Sequence, residues 1–232
     1  MNKSCLIFLL VVACWSACRD AETKAPTREA APGAQSSSAA PASGVSQKLF
    51  VFFGNSITAG YGLDDLSKGF AAIIQKKIDS MGLAIRCVNA GASGATTADG
   101  KESIGWRTAQ APIDYFFLEL GGNDALRGIQ PASSVQNLQS IIDTVRAKNP
   151  SVKIILAGME APPQMGNKYT SEFRAMYVDL AKKNNLSLIP FILEGVGGVP
   201  ALNQSDGIHP TPEGNKIVAE TVWKYVKPVL GR

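Results

Sequence analysis

Short apolar runs alternate along the chain with longer segments in which apolar residues recur every three or four positions. The runs are typical of strands buried on both faces of a sheet, and we expect five of them, at 48–53, 83–88, 115–120, 153–158 and 186–192. The periodic segments predict helices over 67–81, around 135–145, around 173–180 and over 213–229. This alternation predicts an α/β protein, in which a parallel five-stranded sheet lies between helices.

The first 18 residues have the pattern of a bacterial export signal, with a basic start, an apolar run from Leu6 to Ala13 and small residues before a cysteine. Two cysteines could end a lipoprotein signal and become the lipid-modified first residue. The valine three positions before it favours Cys14, whereas the serine and alanine before Cys18 make that cysteine the alternative. We therefore expect a periplasmic or cell-envelope lipoprotein, with secretion without a lipid as the other possibility.

The composition changes after this signal. Residues 19–47 are rich in Ala, Pro, Ser, Thr and Gly, which cannot support a core, so we predict a flexible tether followed by a folded domain over 48–232. Of the four cysteines only Cys87 belongs to that domain, where we expect a buried small apolar side chain and no disulfide framework. The net charge of +4 is modest and not clustered, which argues against nucleic acid as a partner.

Candidate chemistry begins where the first apolar run ends. Phe50–Phe53 leads into Gly54, and Ser56 follows at the expected carboxyl end of a strand, where active sites of open α/β sheets lie. We expect Gly54 and Gly60 to permit the tight backbone path that exposes Ser56. Ser56 is therefore a candidate nucleophile, although an ordinary strand-to-loop corner fits the same pattern.

The chain has a single histidine, His209, and it is therefore the one histidine available as a base for a serine nucleophile. Asp206 lies three residues earlier, and Gly207 would ease a turn that brings its carboxylate to the imidazole ring. A lone histidine without a chemical role is the alternative, but an Asp-x-x-His pair makes it less plausible.

Acyl transfer also needs hydrogen-bond donors for a developing oxyanion. The candidates are the backbone N–H groups of Ser56 and Gly94 and the side-chain amide of Asn123. A plain turn at Gly94 and a helix cap at Asn123 are the alternatives.

Four ordered blocks of this sequence resemble those of the SGNH, or GDSL, hydrolases: the segment 54–57, Gly94, the segment 121–124 and the segment 206–210. The match over about 48–230 is most similar to the branch of bacterial periplasmic thioesterases, proteases and lysophospholipases and to arylesterases. The resemblance implies a flavodoxin-like three-layer fold, no metal or cofactor, and ester hydrolysis through an acyl-enzyme. It also implies that Ser56 is the nucleophile, His209 the general base and then acid, and Asp206 its orienter.

The resemblance predicts a carboxylic-ester hydrolase acting on short or medium acyl esters, thioesters or lysophospholipids. A deacetylase of polysaccharides is the alternative enzyme, and a non-catalytic lipoprotein that binds an acylated ligand is the alternative from another class. We expect the loops 161–170 and 194–203 to select the substrate. Apolar residues favour an acyl chain as their ligand: Ile129, Pro162, Pro163 and Met165.

Two residues depart from the pattern of the family. Asn55 stands where the name-giving motif has aspartate before the serine, and Ala95 stands where similar relatives have aspartate. Both changes should make the pocket less acidic. We expect the substitution Asn55→Asp to move the acidic limb of the pH–rate profile upward.

Overall fold

A computed structural model describes residues 47–107 and 112–231. Its sheet is built from five strands: β1 (Lys48–Gly54), β2 (Ile85–Asn89), β3 (Tyr115–Glu119), β4 (Lys153–Ala157) and β5 (Ser187–Ile189). All neighbouring pairs are parallel, and the order across the sheet is β2-β1-β3-β4-β5. This is the flavodoxin-like order, so the expected fold class is confirmed.

Seven α-helices lie among the described residues: α1 (Ser56–Ala59), α2 (Phe70–Ser80), α3 (Thr97–Arg107), α4 (Gly122–Leu126), α5 (Pro131–Lys148), α6 (Asn167–Asn184) and α7 (Pro212–Val229). Helix α2 packs against α7, whereas α5 packs against both α3 and α6. The longer helices bury one apolar stripe each, as elements that cover a sheet must. The described residues form a three-layer α/β/α sandwich.

The core is centred on β1 and β3, the two strands in the middle of the sheet. Phe52 and Phe117 are fully buried and pack against each other across the strands, with ring centroids 5.2 Å apart and the rings tilted by 38°. Every residue of β3 is buried, including the ionisable Glu119 at its end. A carboxyl group in such a position needs hydrogen-bond partners, and its partners lie beside the candidate nucleophile.

Several element boundaries differ from those that the sequence predicts, most of them by a single residue. The helix expected over 67–81 is interrupted by Gly69, whose extended backbone (φ −70°, ψ 149°) separates a 3₁₀ turn from α2. The second strand starts at Ile85 rather than at residue 83. The fifth strand ends at Ile189, because the following Pro190 has no N–H group to donate to a neighbouring strand.

The hydrophobic pattern of the sequence does not predict helix α3. Its buried positions are Thr97, Gly100 and Ile104, only one of which is a large apolar residue. Gly100 allows a close approach to the core, since a Cβ atom there would lie 2.4 Å from Leu120 Cδ1. Small residues at helical spacing are the signal that would have revealed this helix.

The expected signal segment and tether, with Cys14 and Cys18, lie outside the described residues. Within the described ranges, no helix combines the length and the hydrophobicity that crossing a bilayer requires.

Candidate active site

Ser56 is the first residue of α1 and follows β1 by two positions. The turn between strand and helix is built by Asn55, whose side-chain Oδ1 accepts the backbone N–H of Ile57 at 2.9 Å and so caps α1. Gly60 ends the helix in the left-handed conformation (φ 75°), which favours glycine. Ser56 is thus presented, half-buried, at the carboxyl edge of the sheet.

The structure brings Ser56, His209 and Asp206 together. The Nε2 atom of His209 lies 2.8 Å from Ser56 Oγ, and the Nδ1 atom lies 2.6 Å from Asp206 Oδ2. The turn that joins Asp206 to His209 passes through Gly207 in the left-handed conformation (φ 76°), as its position in the sequence suggests. A carboxylate, an imidazole and a hydroxyl are therefore connected in series, which is the arrangement of a serine hydrolase triad.

Hydrogen bonds to the carboxylate of Asp206 favour its ionised form. The hydrogen bond from His209 and the backbone N–H groups of Ile208 and His209 lower the pKa of Asp206 to about 2. An ionised carboxylate at Nδ1 holds the ring proton on that nitrogen. The Nε2 lone pair of His209 is then free to accept the proton of the Ser56 hydroxyl.

The side chains of Tyr61 and Gln204, which the sequence does not single out, hold the loop that carries His209 in place. The ring of Tyr61 packs against the imidazole of His209, with centroids 4.6 Å apart. The side-chain amide of Gln204 donates to the carbonyl oxygen of Tyr61 at 2.8 Å and to that of Pro210 at 3.1 Å. Gln204 therefore ties the loop that carries His209 to the loop that follows Ser56.

The three expected oxyanion donors line one cavity. Ser56 N–H belongs to the first turn of a helix and is not used by the helical hydrogen-bond ladder. Gly94 has a left-handed backbone (φ 79°) with open space where a side chain would be. The Nδ2 atom of Asn123 donates to the carbonyl oxygen of Ala95 at 3.0 Å, and an amide nitrogen carries a second hydrogen. Gly121, and not Asn123, occupies the N-cap position of α4.

Asp124 fixes the two loops that carry these donors relative to each other. Its fully buried carboxylate accepts the backbone N–H of Thr97 at 2.9 Å and the Thr97 hydroxyl at 2.5 Å. The hydroxyl of Ser134 on α5 donates to the same carboxylate at 2.8 Å. Asp124 directly follows Asn123, so it links the Asn123 segment to the segment that follows Gly94.

The cavity in front of Ser56 has a volume of about 750 Å³. Much of its wall is apolar: Tyr61, Leu126, Met159, Pro162, Pro163, Phe191, Leu193 and Ile208. Of the four apolar residues expected to contact an acyl chain, Pro162 and Pro163 are part of this wall, whereas Ile129 and Met165 are not. Tyr61, Leu126 and Ile208 are exposed and form part of its rim.

Other reactive groups lie elsewhere. Burial raises the pKa of the Cys87 thiol on β2 to about 12, so it is protonated, as expected for a packing residue. In the described part of the chain, no three His, Cys, Asp or Glu side chains are grouped so as to hold a metal ion.

Asn55 lines the cavity, and its side-chain Oδ1 lies 3.5 Å from Ser56 Oγ. Asn55 is buried and its Nδ2 atom donates to Glu119 Oε1 at 2.6 Å. The residue that Asn55 contacts in place of the aspartate of the family motif is therefore Glu119. From the sequence, Glu119 is predicted only to be part of a buried strand.

Comparison with known proteins gives consistent similarities. A model of the GDSL-like Lipase/Acylhydrolase family matches residues 52–217. Esterase TesA of Pseudomonas aeruginosa is 41% identical over 177 residues, which cover 76% of this chain and 87% of that protein. Thioesterase 1/protease 1/lysophospholipase L1 of Escherichia coli K12 is 33% identical over 180 residues, which cover 78% of this chain and 84% of that protein. The crystal structure of AlinE4, an SGNH-hydrolase family esterase, has a TM-score of 0.66 and 38% identity, covering 82% of this chain and 100% of the other.

Proposed function

The chain belongs to the GDSL-like lipase/acylhydrolase family and is a carboxylic-ester hydrolase of the SGNH type, and we propose that its Ser56, His209 and Asp206 cleave short- to medium-chain acyl esters and thioesters. The observation that carries this assignment is the distance of 2.8 Å between Ser56 Oγ and the only histidine of the sequence. A small-molecule acyl ester is the substrate, and no step calls for a cofactor.

In the first half of the reaction, Ser56 Oγ attacks the acyl carbon while its proton passes to His209 Nε2. The carbonyl electron pair moves onto oxygen, and this oxyanion accepts hydrogen bonds from Ser56 N–H, Gly94 N–H and the Asn123 amide. Asp206 stabilises the imidazolium through Nδ1–H. The oxyanion then collapses, the bond to the leaving alcohol or thiol breaks, and the imidazolium donates its proton to the leaving group.

In the second half, water replaces the leaving group. His209 Nε2 accepts one proton of the water as its oxygen attacks the acyl carbon of the ester on Ser56. The second tetrahedral oxyanion uses the same donors. When it collapses, the bond to Ser56 Oγ breaks, the imidazolium returns a proton to that oxygen, and a free carboxylic acid leaves.

The chemistry of the cavity wall supports an acyl chain as the specificity element. Contiguous apolar side chains favour an alkyl group over a sugar, because a sugar hydroxyl buried there would lose its hydrogen bonds to water. Pro162, Phe191 and Leu193 contribute to such a surface. A lysophospholipid presents its acyl ester in the same chemical form and belongs to the same proposed substrate class.

The test is turnover of p-nitrophenyl esters of graded chain length by the purified protein and by its Ser56→Ala variant. We expect the variant to lose at least about 10⁴-fold in kcat/KM on every ester that the wild type cleaves. Wild-type turnover by Ser56→Ala would refute the assignment of the nucleophile. Faster turnover of acetylated xylan than of any alkyl ester would replace the proposed substrate class by polysaccharide acetyl esters.

We further propose that the enzyme is exported and held at the cell envelope by a lipid on Cys14, or alternatively on Cys18. The support is the basic start, the apolar run and the small residues before each cysteine. The mass of the mature amino terminus, measured on protein extracted from membranes, distinguishes the two sites. An unmodified terminus at Ala17 or Arg19 would reject lipidation.

A further inference from the structure

The buried carboxylate of Glu119 is surrounded by hydrogen-bond donors from the nucleophile turn. Its Oε1 accepts Nδ2 of Asn55 at 2.6 Å, and its Oε2 accepts the backbone N–H of Asn55 at 3.1 Å and the hydroxyl of Thr58 at 2.8 Å. Glu119 is 1% exposed, and Asn55 and Thr58 are each 2% exposed. A single acid on β3 therefore holds both residues that flank Ser56 and Ile57.

The orientation of the Asn55 amide is fixed by this arrangement. Its Oδ1 atom is engaged as the cap of α1 through the N–H of Ile57, so its NH₂ group must face Glu119. In the chain, Ser56 lies between Asn55 and Ile57, the two residues that the cap contact joins. Because Asn55 connects the helix cap to the buried acid, any shift of Asn55 moves the Ser56 hydroxyl relative to His209 Nε2.

We propose that Glu119 is a positioning residue for the nucleophile, and that the donor–acceptor match between Asn55 and Glu119 sets the alignment of Ser56 with His209 and its pH dependence. The inference rests on the proposed role of Ser56. Glu119 itself contacts no reacting atom. Its effect on the reaction passes through Asn55 and the first turn of α1.

The surroundings of Glu119 decide which protonation state fits. Burial raises the pKa of Glu119 to about 7, while its hydrogen bonds with Thr58 and Asn55 oppose that rise. Two further titratable groups belong to this region: Tyr177 on α6, whose pKa is raised well above its usual value by burial, by Glu119 and by Asp124, and Asp124 itself on α4. Both are acids, so neither offers Glu119 a cation. The ionised carboxylate satisfies the Asn55 and Thr58 donors, and a protonated one must turn one oxygen into a donor.

Substitutions at the two positions have distinct consequences. Glu119→Gln places an NH₂ group against either the Asn55 amide or the Asn55 backbone N–H, so one pair of donors always clashes. Asn55→Asp places two carboxyl groups at the present 2.6 Å contact, which is stable only while the pair retains one proton. The double variant Asn55→Asp/Glu119→Gln restores a match, because the new carboxylate accepts from the new amide and still caps Ile57.

The experiment compares these three variants and Ser56→Ala across pH on a soluble p-nitrophenyl ester. Glu119→Gln should lower kcat by about 10-fold or more with KM changed by less than about 3-fold, because misalignment affects the chemical step and leaves the cavity wall intact. Asn55→Asp should keep its maximal kcat within about 3-fold of wild type and lose activity on the alkaline side, where the shared proton dissociates, in addition to the upward shift of its acidic limb that the sequence predicts. The double variant should recover most of the loss of Glu119→Gln and show no alkaline loss.

Two outcomes would overturn the inference: wild-type kcat in Glu119→Gln, or a double variant as impaired as Glu119→Gln. If Glu119→Gln does not fold, the deciding measurement is the loss of kcat that Asn55→Asp should show at alkaline pH. An Asn55→Asp variant without this alkaline loss refutes the proposal. The rate at which a p-nitrophenyl phosphonate inactivates each folded variant should follow kcat, because it reports the reactivity of Ser56 directly. Full activity in Ser56→Ala would instead remove the proposed function, and this inference with it.

Discussion

Gly54 on β1 and Glu119 on β3 face each other across the sheet, and the Glu119 carboxylate fills the space that a side chain at Gly54 would need. A Cβ atom at Gly54 would lie 2.6 Å from Glu119 Oε2 and 2.1 Å from Thr58 Oγ1. The sequence suggests that this glycine serves the backbone path. Of the two glycines at this turn, only Gly60 has the left-handed backbone conformation that favours glycine. Gly54 is needed instead because it leaves room for the buried carboxylate of Glu119.

The substitution Gly54→Ala should therefore disrupt the nucleophile turn. We expect a loss of about 1–3 kcal/mol in the free energy of unfolding, typical of overpacking, together with a lower kcat. Urea denaturation and ester turnover measure the two effects. The matched control is Gly105→Ala on α3, where a Cβ atom meets nothing within 4 Å and alanine should stabilise by about 0.5–1 kcal/mol. Equal stability of the two variants would contradict the steric argument.

The Asp206 carboxylate stabilises the imidazolium that forms during the reaction, so Asp206→Asn should lower kcat much more than it changes KM. We expect a loss of about 10²- to 10⁴-fold, with the smaller value possible because this side chain is partly exposed to water. Steady-state kinetics measures it. Asp64→Asn is the control, since Asp64 is an exposed acid paired with Lys68 at 3.1 Å. If both variants keep wild-type kcat, Asp206 has no role in the reaction.

Asn123→Ala should lower kcat by about 10²- to 10³-fold, the usual cost of removing one oxyanion donor. The same amide supports the carbonyl oxygen of Ala95, so a loosened loop is a competing cause. Arg127→Ala separates the two, because Arg127 donates to the carbonyl oxygen of Gly94 at 3.1 Å but is not an oxyanion donor. We expect Arg127→Ala to stay within about 5-fold of wild type. Equal losses in both variants would assign the effect to the loop.

The parts of this protein that could be predicted from sequence are those whose signal is local. Apolar runs such as Phe50–Phe53 identify the strands, and a single histidine three residues after Asp206 leaves few alternatives for a base. Helix α3 was missed because its packing face uses small residues. The role of Glu119 was missed because its donors are 61 and 64 positions away, and only the register of β1 with β3 brings them together.

The rim of the cavity should select chain length. Leu126 is 55% exposed and lines the cavity, so Leu126→Ser should weaken binding of long acyl groups and leave acetyl esters unaffected. A loss of about 1 kcal/mol of apolar contact corresponds to a fall of about 5-fold in the ratio of kcat/KM for octanoyl and acetyl esters. Val178→Ser on α6 is the control, because Val178 is similarly exposed but away from the cavity. An unchanged ratio in Leu126→Ser would place the acyl chain elsewhere.

The buried acid should also be visible in the stability of the protein. The carboxyl of Glu119 releases its proton near its usual pKa of 4.5 in the unfolded chain and at about 7 in the folded protein. Between these values the folded state binds more protons, so the free energy of unfolding contributed by this group falls as the pH rises from 4.5 to about 7.

This contribution amounts to about 3 kcal/mol across the window. Glu119→Gln cannot titrate, so its free energy of unfolding, measured in urea at several pH values, should lack this decline. The acids whose pKa is lowered, among them Asp206, act below this window and affect both proteins equally. Parallel pH profiles of the wild type and Glu119→Gln would mean that Glu119 is ionised throughout. Such an acid would still hold Asn55, but it would give the nucleophile turn no sensitivity to pH.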